Sequence, residues 1–101
     1  MAAFTPGLVH TPMTPFSRER SIDFPLYGRL IDFHLGNGAQ SLALPMHAGE
    51  SVSLTENERR HLIEFAIAHV KDRAPVMVHV SEAGTGRAVV LARHAACSVR
   101  A

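Results

Sequence analysis

The stretch that decides the fold is residues 41–80, SLALPMHAGESVSLTENERRHLIEFAIAHVKDRAPVMVHV, in a chain of 101 residues. It begins with a short apolar run that Pro45 ends, and it finishes with a second apolar run over residues 76–80. Between them, Thr55 and Glu58 fit a capping box, in which each side chain accepts the other residue's backbone N–H. The apolar residues behind this box follow the i, i+3, i+4 spacing of a core-facing helix. They are Leu62, Ile63, Ala66, Ile67 and Val70.

The segments before residue 41 add one more strand and one more helix. Residues 8–13 predict a short first strand, and residues 40–45 predict the second. Asp23 is a good N-cap for a helix from Phe24 to about Gly36, which Gly and Asn residues then end. The apolar stripe of this helix is predicted to comprise Leu26, Leu30 and Phe33, with Ile31 beside it.

After residue 80 the sequence predicts a third helix. Thr85 can serve as its N-cap, and its apolar residues are Val89, Val90, Leu91 and Ala95. The complete order is therefore βαβαβα, which predicts an α/β fold with a parallel sheet and right-handed crossovers.

Composition and charge exclude several classes of function. Ten Lys and Arg residues against nine Asp and Glu leave a formal net charge of +1, whereas a nucleic-acid groove or an anionic-membrane surface needs a basic excess. The only cysteine, Cys97, excludes an intramolecular disulfide, suggests a reducing compartment and is predicted to be a buried, inert thiol. No apolar run has the length of about 20 residues that crosses a membrane, so a soluble cytoplasmic protein is expected.

A set of short motifs occurs in one order along the chain. They are Thr14-Pro15-Phe16, Ile22-Asp23, Leu30-Ile31, Gly38-Ala39, Gly49-Glu50, Ser53-Leu54-Thr55, Glu58-Arg59 and Pro75-Val76. In order and spacing this set resembles the dihydrodipicolinate synthase/N-acetylneuraminate lyase family, from about Gly7 to the last residue. Members of that family are (β/α)8 barrels in which a lysine forms a Schiff base with pyruvate or another 2-oxo acid, followed by aldol addition, cleavage or dehydration.

The resemblance implies how much of such a barrel this chain supplies. A full barrel needs roughly 250 residues, so residues 1–101 are expected to be the N-terminal part of one barrel domain, with three βα units and a stop before strand four. The Schiff-base lysine belongs on the sixth strand and is expected beyond residue 101. Lys71, the only lysine, is predicted to close the second helix at the face opposite the active site. The isolated chain is therefore expected to be inactive.

The loop after the second strand carries the strongest candidate binding residues. Where the best-known family members read Gly-Thr-Thr-Gly-Glu, this chain has Met46-His47-Ala48-Gly49-Glu50. The backbone N–H groups of Ala48 and Gly49 are predicted to bind the substrate carboxylate, a contact that needs no side chain. His47 either replaces the lost threonine proton relay or only fills space. Glu50 is predicted to accept backbone N–H bonds and so hold the turn.

Three further motifs carry residue types that can take part in chemistry. His79 and Ser81, at the end of the third strand, are predicted to line the mouth of the pocket. His10, His47 and His79 follow three successive strands, but no paired-histidine spacing or supporting carboxylate favours a metal site. Residues 84–86, Gly-Thr-Gly, lack the rest of a phosphate-binding motif, so helix capping is favoured there.

Two functions from different classes stay open from the sequence. The first is part of a Schiff-base lyase acting on a pyruvate-like 2-oxo acid. The second is a non-catalytic remnant or self-associating interaction module. A homo-oligomer is expected in either case, because a three-stranded excerpt of a barrel exposes two sheet edges. Neither a cofactor, a nucleic acid nor a membrane is expected as a partner.

Overall fold

The computed structural model describes residues 7–46, 49–50, 53–80 and 84–100. Within them the chain forms β1 (Val9–His10), α1 (Phe24–Gly36), β2 (Ser41–Leu44), α2 (Glu56–Val70), β3 (Val76–Val78) and α3 (Thr85–Arg100). The strands make one parallel sheet in the order β1-β2-β3. The predicted βαβαβα order is confirmed, and the arrangement is that of the first part of a (β/α)8 barrel.

The helix ends follow the local signals in the sequence. In α1 the Asp23 carboxylate accepts the backbone N–H of Leu26 at 3.1 Å, as an N-cap should. In α2 both halves of the capping box form, with N–O distances of 2.8 Å from the Thr55 N–H and 3.1 Å from the Glu58 N–H. α3 includes Thr85 as its first residue, so the N-cap position belongs to Gly84 and the prediction of a Thr85 cap was one residue out.

The strands are shorter than the sequence predicted. β1 has two residues instead of six, and β3 has three instead of five. β2 is buried along its whole length, as expected for a strand covered on both faces. In β3, by contrast, Met77 is 48% exposed, so apolar composition alone does not bury this strand.

The core lies between the sheet and the first two helices. Its buried members are Tyr27, Ile31, Leu42, Leu44, Leu54, Leu62, Ala66, Val70 and Ala74. For α2 the predicted core-facing residues are buried, except that Ile67 is half-buried.

The apolar stripe of α1 differs from the predicted one. Tyr27 and Ile31 face the core and are fully buried, whereas Phe33 is 62% exposed and Leu26 and Leu30 are half-buried. Phe33 lies about 200° around the helix from Ile31, because each residue turns an α-helix by 100°. A helix with apolar residues on several sides does not reveal by itself which side meets the sheet.

α3 shows the same kind of difference. Leu91 and Ala95 are buried, but Val89 and Val90 are 43% and 44% exposed. Cys97 is exposed, which corrects the prediction of a buried thiol. It lies two residues after Ala95 and so points about 200° away from that residue's buried side.

A polar cluster joins α1 to α2 on the outer side of the core. Asp32 Oδ1 accepts from His69 Nε2 at 2.9 Å and from Arg73 Nη2 at 3.0 Å. Burial favours the neutral carboxyl group, but the hydrogen bonds and charges of Arg73 and His69 outweigh it and lower the pKa of Asp32. The Phe65 ring stacks on His69, and both lie against Gly28, where a Cβ would come within 3.1 Å of His69 Cε1. Glycine at this position therefore lets the two helices approach.

Within the described residues, none of the helices combines the length and the apolar character needed to cross a membrane.

Candidate functional site

The carboxyl ends of the three parallel strands meet at one edge of the sheet, and the loops after them form the candidate site. In (β/α)8 barrels this edge carries the substrate-binding and catalytic groups. Of the predicted site residues, Gly49 and His79 lie within the described part of the chain. His47, Ala48 and Ser81 lie outside it, so the predicted roles of their side chains remain predictions.

Gly49 is held between the end of β2 and the segment that follows β1. Its N–H donates to the Met46 carbonyl at 2.9 Å, and its own carbonyl accepts from the Thr14 hydroxyl at 2.6 Å. The Gly49 N–H is therefore already engaged in a turn, and carboxylate binding by this group requires the hydrogen bond to be shared or released. The sequence did not reveal that the Met46 carbonyl competes with a ligand for this N–H, because the hydrogen bond depends on the folded conformation of the loop.

The packing around Gly49 is tight. A Cβ at this position would lie 3.1 Å from the Pro12 carbonyl oxygen and 3.1 Å from Thr14 Oγ1. The backbone of the loop after β2 thus lies directly against the segment after β1. A side chain at this position would push the Pro12 carbonyl or the Thr14 hydroxyl by a few tenths of an ångström, so glycine favours the close approach of the two segments.

Glu50 holds the same loop through its backbone. Its φ of 58° is in the left-handed region, and its carbonyl accepts the Ser53 N–H at 2.9 Å. The side chain is exposed, and among the described residues its carboxylate accepts no backbone N–H. The turn-holding role predicted for the Glu50 carboxylate is therefore performed by the main chain.

His79 lies at the end of β3 and is fixed from two sides. Its N–H donates to the Leu44 carbonyl at 2.9 Å, which extends the pairing of β3 with β2, and its carbonyl accepts from Arg59 Nη2 at 3.0 Å. Arg59 is a cation on α2 that is only 4% exposed. Its place on the buried side of α2 could have been read from its spacing, because it precedes the core residues Leu62 and Ile63 by three and four positions.

His10 contacts α1 through His34. Its Nδ1 lies 2.9 Å from the Nδ1 of His34, with the two rings edge to face and their centroids 5.0 Å apart. Burial, together with the nearby charge of His10, lowers the pKa of His34. Among the residues that the structure describes there is no group of three or more metal-ligating side chains, although His47 of the three-histidine alternative lies outside that set.

Lys71 lies at the opposite edge of the sheet from Gly49. It ends α2 with a φ of 47° and is exposed, five residues before β3 begins. Because α2 runs antiparallel to the strands, its C-terminal end is at their amino ends. The predicted helix-terminal position of Lys71 is confirmed.

Comparison with known proteins shows which family this chain resembles in sequence. The model of the dihydrodipicolinate synthetase family matches residues 5–98. A 4-hydroxy-tetrahydrodipicolinate synthase of Lachnoclostridium phytofermentans is 37% identical over 95 residues, which cover 94% of this chain and 32% of that protein. A similar synthase of Alkaliphilus oremlandii is 40% identical over 83 residues, covering 82% of this chain and 28% of the other.

Solved structures agree in fold. The dihydrodipicolinate synthase of Aquifex aeolicus superimposes with a TM-score of 0.87 at 33% identity, covering 91% of this chain and 31% of that one. An E. coli K12 prophage protein of the same family, solved in complex with pyruvate, superimposes with a TM-score of 0.88 at 28% identity, again over 91% and 31%. This chain thus spans about a third of the length of the relatives it matches.

Proposed function

This chain belongs to the dihydrodipicolinate synthetase family, and on that premise we propose that it supplies the first three βα units of a single-domain (β/α)8-barrel lyase. The reaction proposed for the complete barrel is aldol-type chemistry on pyruvate or another 2-oxo acid, through a Schiff base. The observation that carries the proposal is the position of the closely packed loop around Gly49. It lies at the carboxyl edge of the sheet, where barrels of this class bind their substrates.

The proposed binding surface consists of the loop residues His47, Ala48 and Gly49, with His79 and Ser81 at the end of β3. Backbone N–H groups in the loop would bind the substrate carboxylate, and His47 would carry a proton in place of the threonines found in the resembled family. The fixed backbone of His79 supports this proposal, since Arg59 and Leu44 hold it from both sides.

The Schiff-base lysine is proposed to come from outside these 101 residues. Lys71 is the only lysine in the chain, and it is exposed at the amino edge of the sheet. A nucleophilic amine has to reach the carbonyl carbon of a substrate held at the carboxyl edge. Lys71 is on the wrong side of the sheet for that role.

We further propose a cytoplasmic homo-oligomer for the complete protein, and no cofactor for its reaction.

The test uses pyruvate and borohydride, which reduces a Schiff base to a stable adduct. We expect the mass of the purified 101-residue chain to stay unchanged. When residues 1–101 replace the matching third of the Lachnoclostridium phytofermentans synthase, this joined protein should gain one pyruvate adduct, on a lysine of the added part. Lys71→Arg is the matched control, and it should leave the adduct in place. An adduct on Lys71, or a folded joined protein that forms none, would contradict the proposal.

A non-catalytic, self-associating module is the second candidate, favoured by one observation. Phe33, Met77, Val89 and Val90 are each at least 43% exposed. Covering about 500 Å² of such surface is worth on the order of 12 kcal/mol by area, so under this candidate the isolated chain should self-associate. Sedimentation together with calorimetry distinguishes the cases, because a monomer with a sharp two-state transition would rule out the self-associating module.

A further inference from the structure

Thr14 is a buried polar residue for which the sequence predicted no role in the site. Its side chain is part of a residue only 5% exposed, and its hydroxyl donates to the carbonyl of Gly49, 35 positions later in the chain. The O–O distance of 2.6 Å is at the short end for this kind of hydrogen bond. A buried hydroxyl is costly without a partner, so this bond is a firm constraint on both segments.

The donor side of this bond is rigid. Thr14 precedes Pro15, which restricts its backbone to extended conformations. The Pro15 carbonyl accepts the Asp23 N–H at 2.9 Å, which ties the segment to the start of α1. Pro12, two residues before Thr14, is buried. The hydroxyl is therefore presented from a fixed position.

The acceptor side is the backbone of Gly49 and Glu50, which is tightly packed and has an uncommon conformation. A Cβ on Gly49 would lie only 3.1 Å from the Pro12 carbonyl oxygen and from Thr14 Oγ1, and Glu50 follows with a φ of 58°, where residues other than glycine are uncommon. The Gly49 carbonyl belongs to the peptide group that joins these two residues. Within the described part of the chain, Thr14 is the only side chain from outside the loop that bonds to either of them.

We propose that Thr14 is a positioning residue for the Gly49–Glu50 turn in the loop after β2. Its hydroxyl fixes the plane of the Gly49–Glu50 peptide and so sets the backbone against which a carboxylate ligand binds. The identity of that ligand, a 2-oxo acid, rests on the proposed function, whereas the positioning of the loop does not.

The first test measures loop order in the 101-residue chain by hydrogen exchange and mass spectrometry. Thr14→Val keeps the volume and removes the donor, so exchange in a peptide covering residues 46–54 should accelerate about tenfold, while a peptide from α1 stays unchanged. Thr14→Ser should restore slow exchange, because it retains the hydroxyl. Thr11→Val, the same chemical change at an exposed threonine of the same segment, is the matched control and should have no effect.

The second test measures pyruvate kinetics in the joined protein. Thr14→Val should raise the KM for pyruvate about tenfold, with a smaller change in kcat, and Thr14→Ser should recover the KM. A role limited to stability would lower the melting temperature and leave KM unchanged well below it.

Three outcomes would overturn the inference. They are unchanged exchange in residues 46–54, equal acceleration in the loop and in α1, and an unchanged KM in an active joined protein. If the joined protein with native Thr14 fails to bind pyruvate, the proposed function fails, and the exchange measurement alone still decides the role of Thr14.

Discussion

The strands β2 and β3 are parallel neighbours of similar apolar composition, yet they differ in burial. All four residues of β2 are buried, whereas Met77 at the centre of β3 is 48% exposed. Ala43 is the partner of Met77 in the sheet register and is only 3% exposed. β2 has a strand on each side, and β3 has one. The number of neighbouring elements, more than composition, thus decides which residues form the core.

The helices α2 and α3 differ in burial in the same way. α2 packs against both α1 and α3, and it contributes Leu62, Ala66 and Val70 to the core. α3 packs against α2, and its Val89 and Val90 stay nearly half exposed. In a closed (β/α)8 barrel each βα unit has a unit on either side. Val76 packs against the core beneath the helices, so Met77, the next residue, lies on the opposite face of the sheet, while Val89 and Val90 are exposed on α3. The missing units of such a barrel would have to cover both places.

The largest expected effect compares one residue from each strand. Leu42 on β2 is fully buried, so Leu42→Ala should lower the free energy of unfolding by about 2–5 kcal/mol. Met77→Ala should cost less than about 1 kcal/mol, because much of the Met77 side chain already meets solvent in the folded chain. Urea denaturation at one fixed protein concentration measures both values. Equal losses would show that β3 is covered in solution, most simply by a second copy.

Two neighbouring arginines on α2 give the next comparison. Arg59 is buried and donates to the His79 carbonyl at 3.0 Å, so Arg59→Gln should cost about 1.5–3 kcal/mol, the range for hydrogen bonds of charged groups. Arg60 makes an i,i+4 pair with Glu56 at 3.3 Å on the helix surface. Arg60→Gln should cost less than about 0.5 kcal/mol. The same denaturation experiment serves, and a larger loss for Arg60 would contradict the placement of the two side chains.

Tyr27 should show an effect of opposite sign. It is fully buried, burial raises the pKa of its phenol, and its hydroxyl has no hydrogen-bond partner within the described part of the chain. Tyr27→Phe removes this group and leaves the ring, so stability should increase by about 1 kcal/mol. A shift of the urea midpoint to higher concentration is the expected result. Loss of stability would reveal a partner for the hydroxyl.

The sequence predicted the parts of this fold that depend on local chemistry. The capping box of Thr55 and Glu58, the Asp23 cap and the order of the elements are all confirmed. The side of α1 that meets the sheet was wrong, with Tyr27 buried where Phe33 was expected. That choice depends on the orientation of the helix on the sheet, which local sequence does not encode.

The candidate site was less accessible to sequence reasoning for a similar reason. The strand directions predict that the site lies at the carboxyl ends of the strands, and the family motifs indicate the loop that contains Gly49. The bond from Thr14 to Gly49 joins residues 35 positions apart, so neither spacing nor propensity reveals it. Arg59 offered a signal in its spacing to Leu62, but its contact with the end of β3 requires the packed helix and sheet.

The smallest expected effect concerns pH and the contact between β1 and α1 that His10 and His34 make. Only one hydrogen can lie between the Nδ1 atoms of His10 and His34, which are 2.9 Å apart. Because the pKa of His34 is lowered in the folded chain, the unfolded chain takes up its proton first as the pH falls below about 6.5. The contribution of His34 to stability is therefore present above that pH and is lost as the pH falls through its folded pKa.

We expect the melting temperature to fall between pH 7.5 and pH 5.5, and we expect His34→Gln to reduce that fall, since glutamine does not titrate. His61→Gln is the matched control, because His61 is an exposed histidine on the outer side of α2. Differential scanning calorimetry at the two pH values measures the difference between each variant and the native chain. If His34→Gln and His61→Gln change the pH dependence of the melting temperature equally, the pairing of His10 with His34 makes no specific contribution to that dependence.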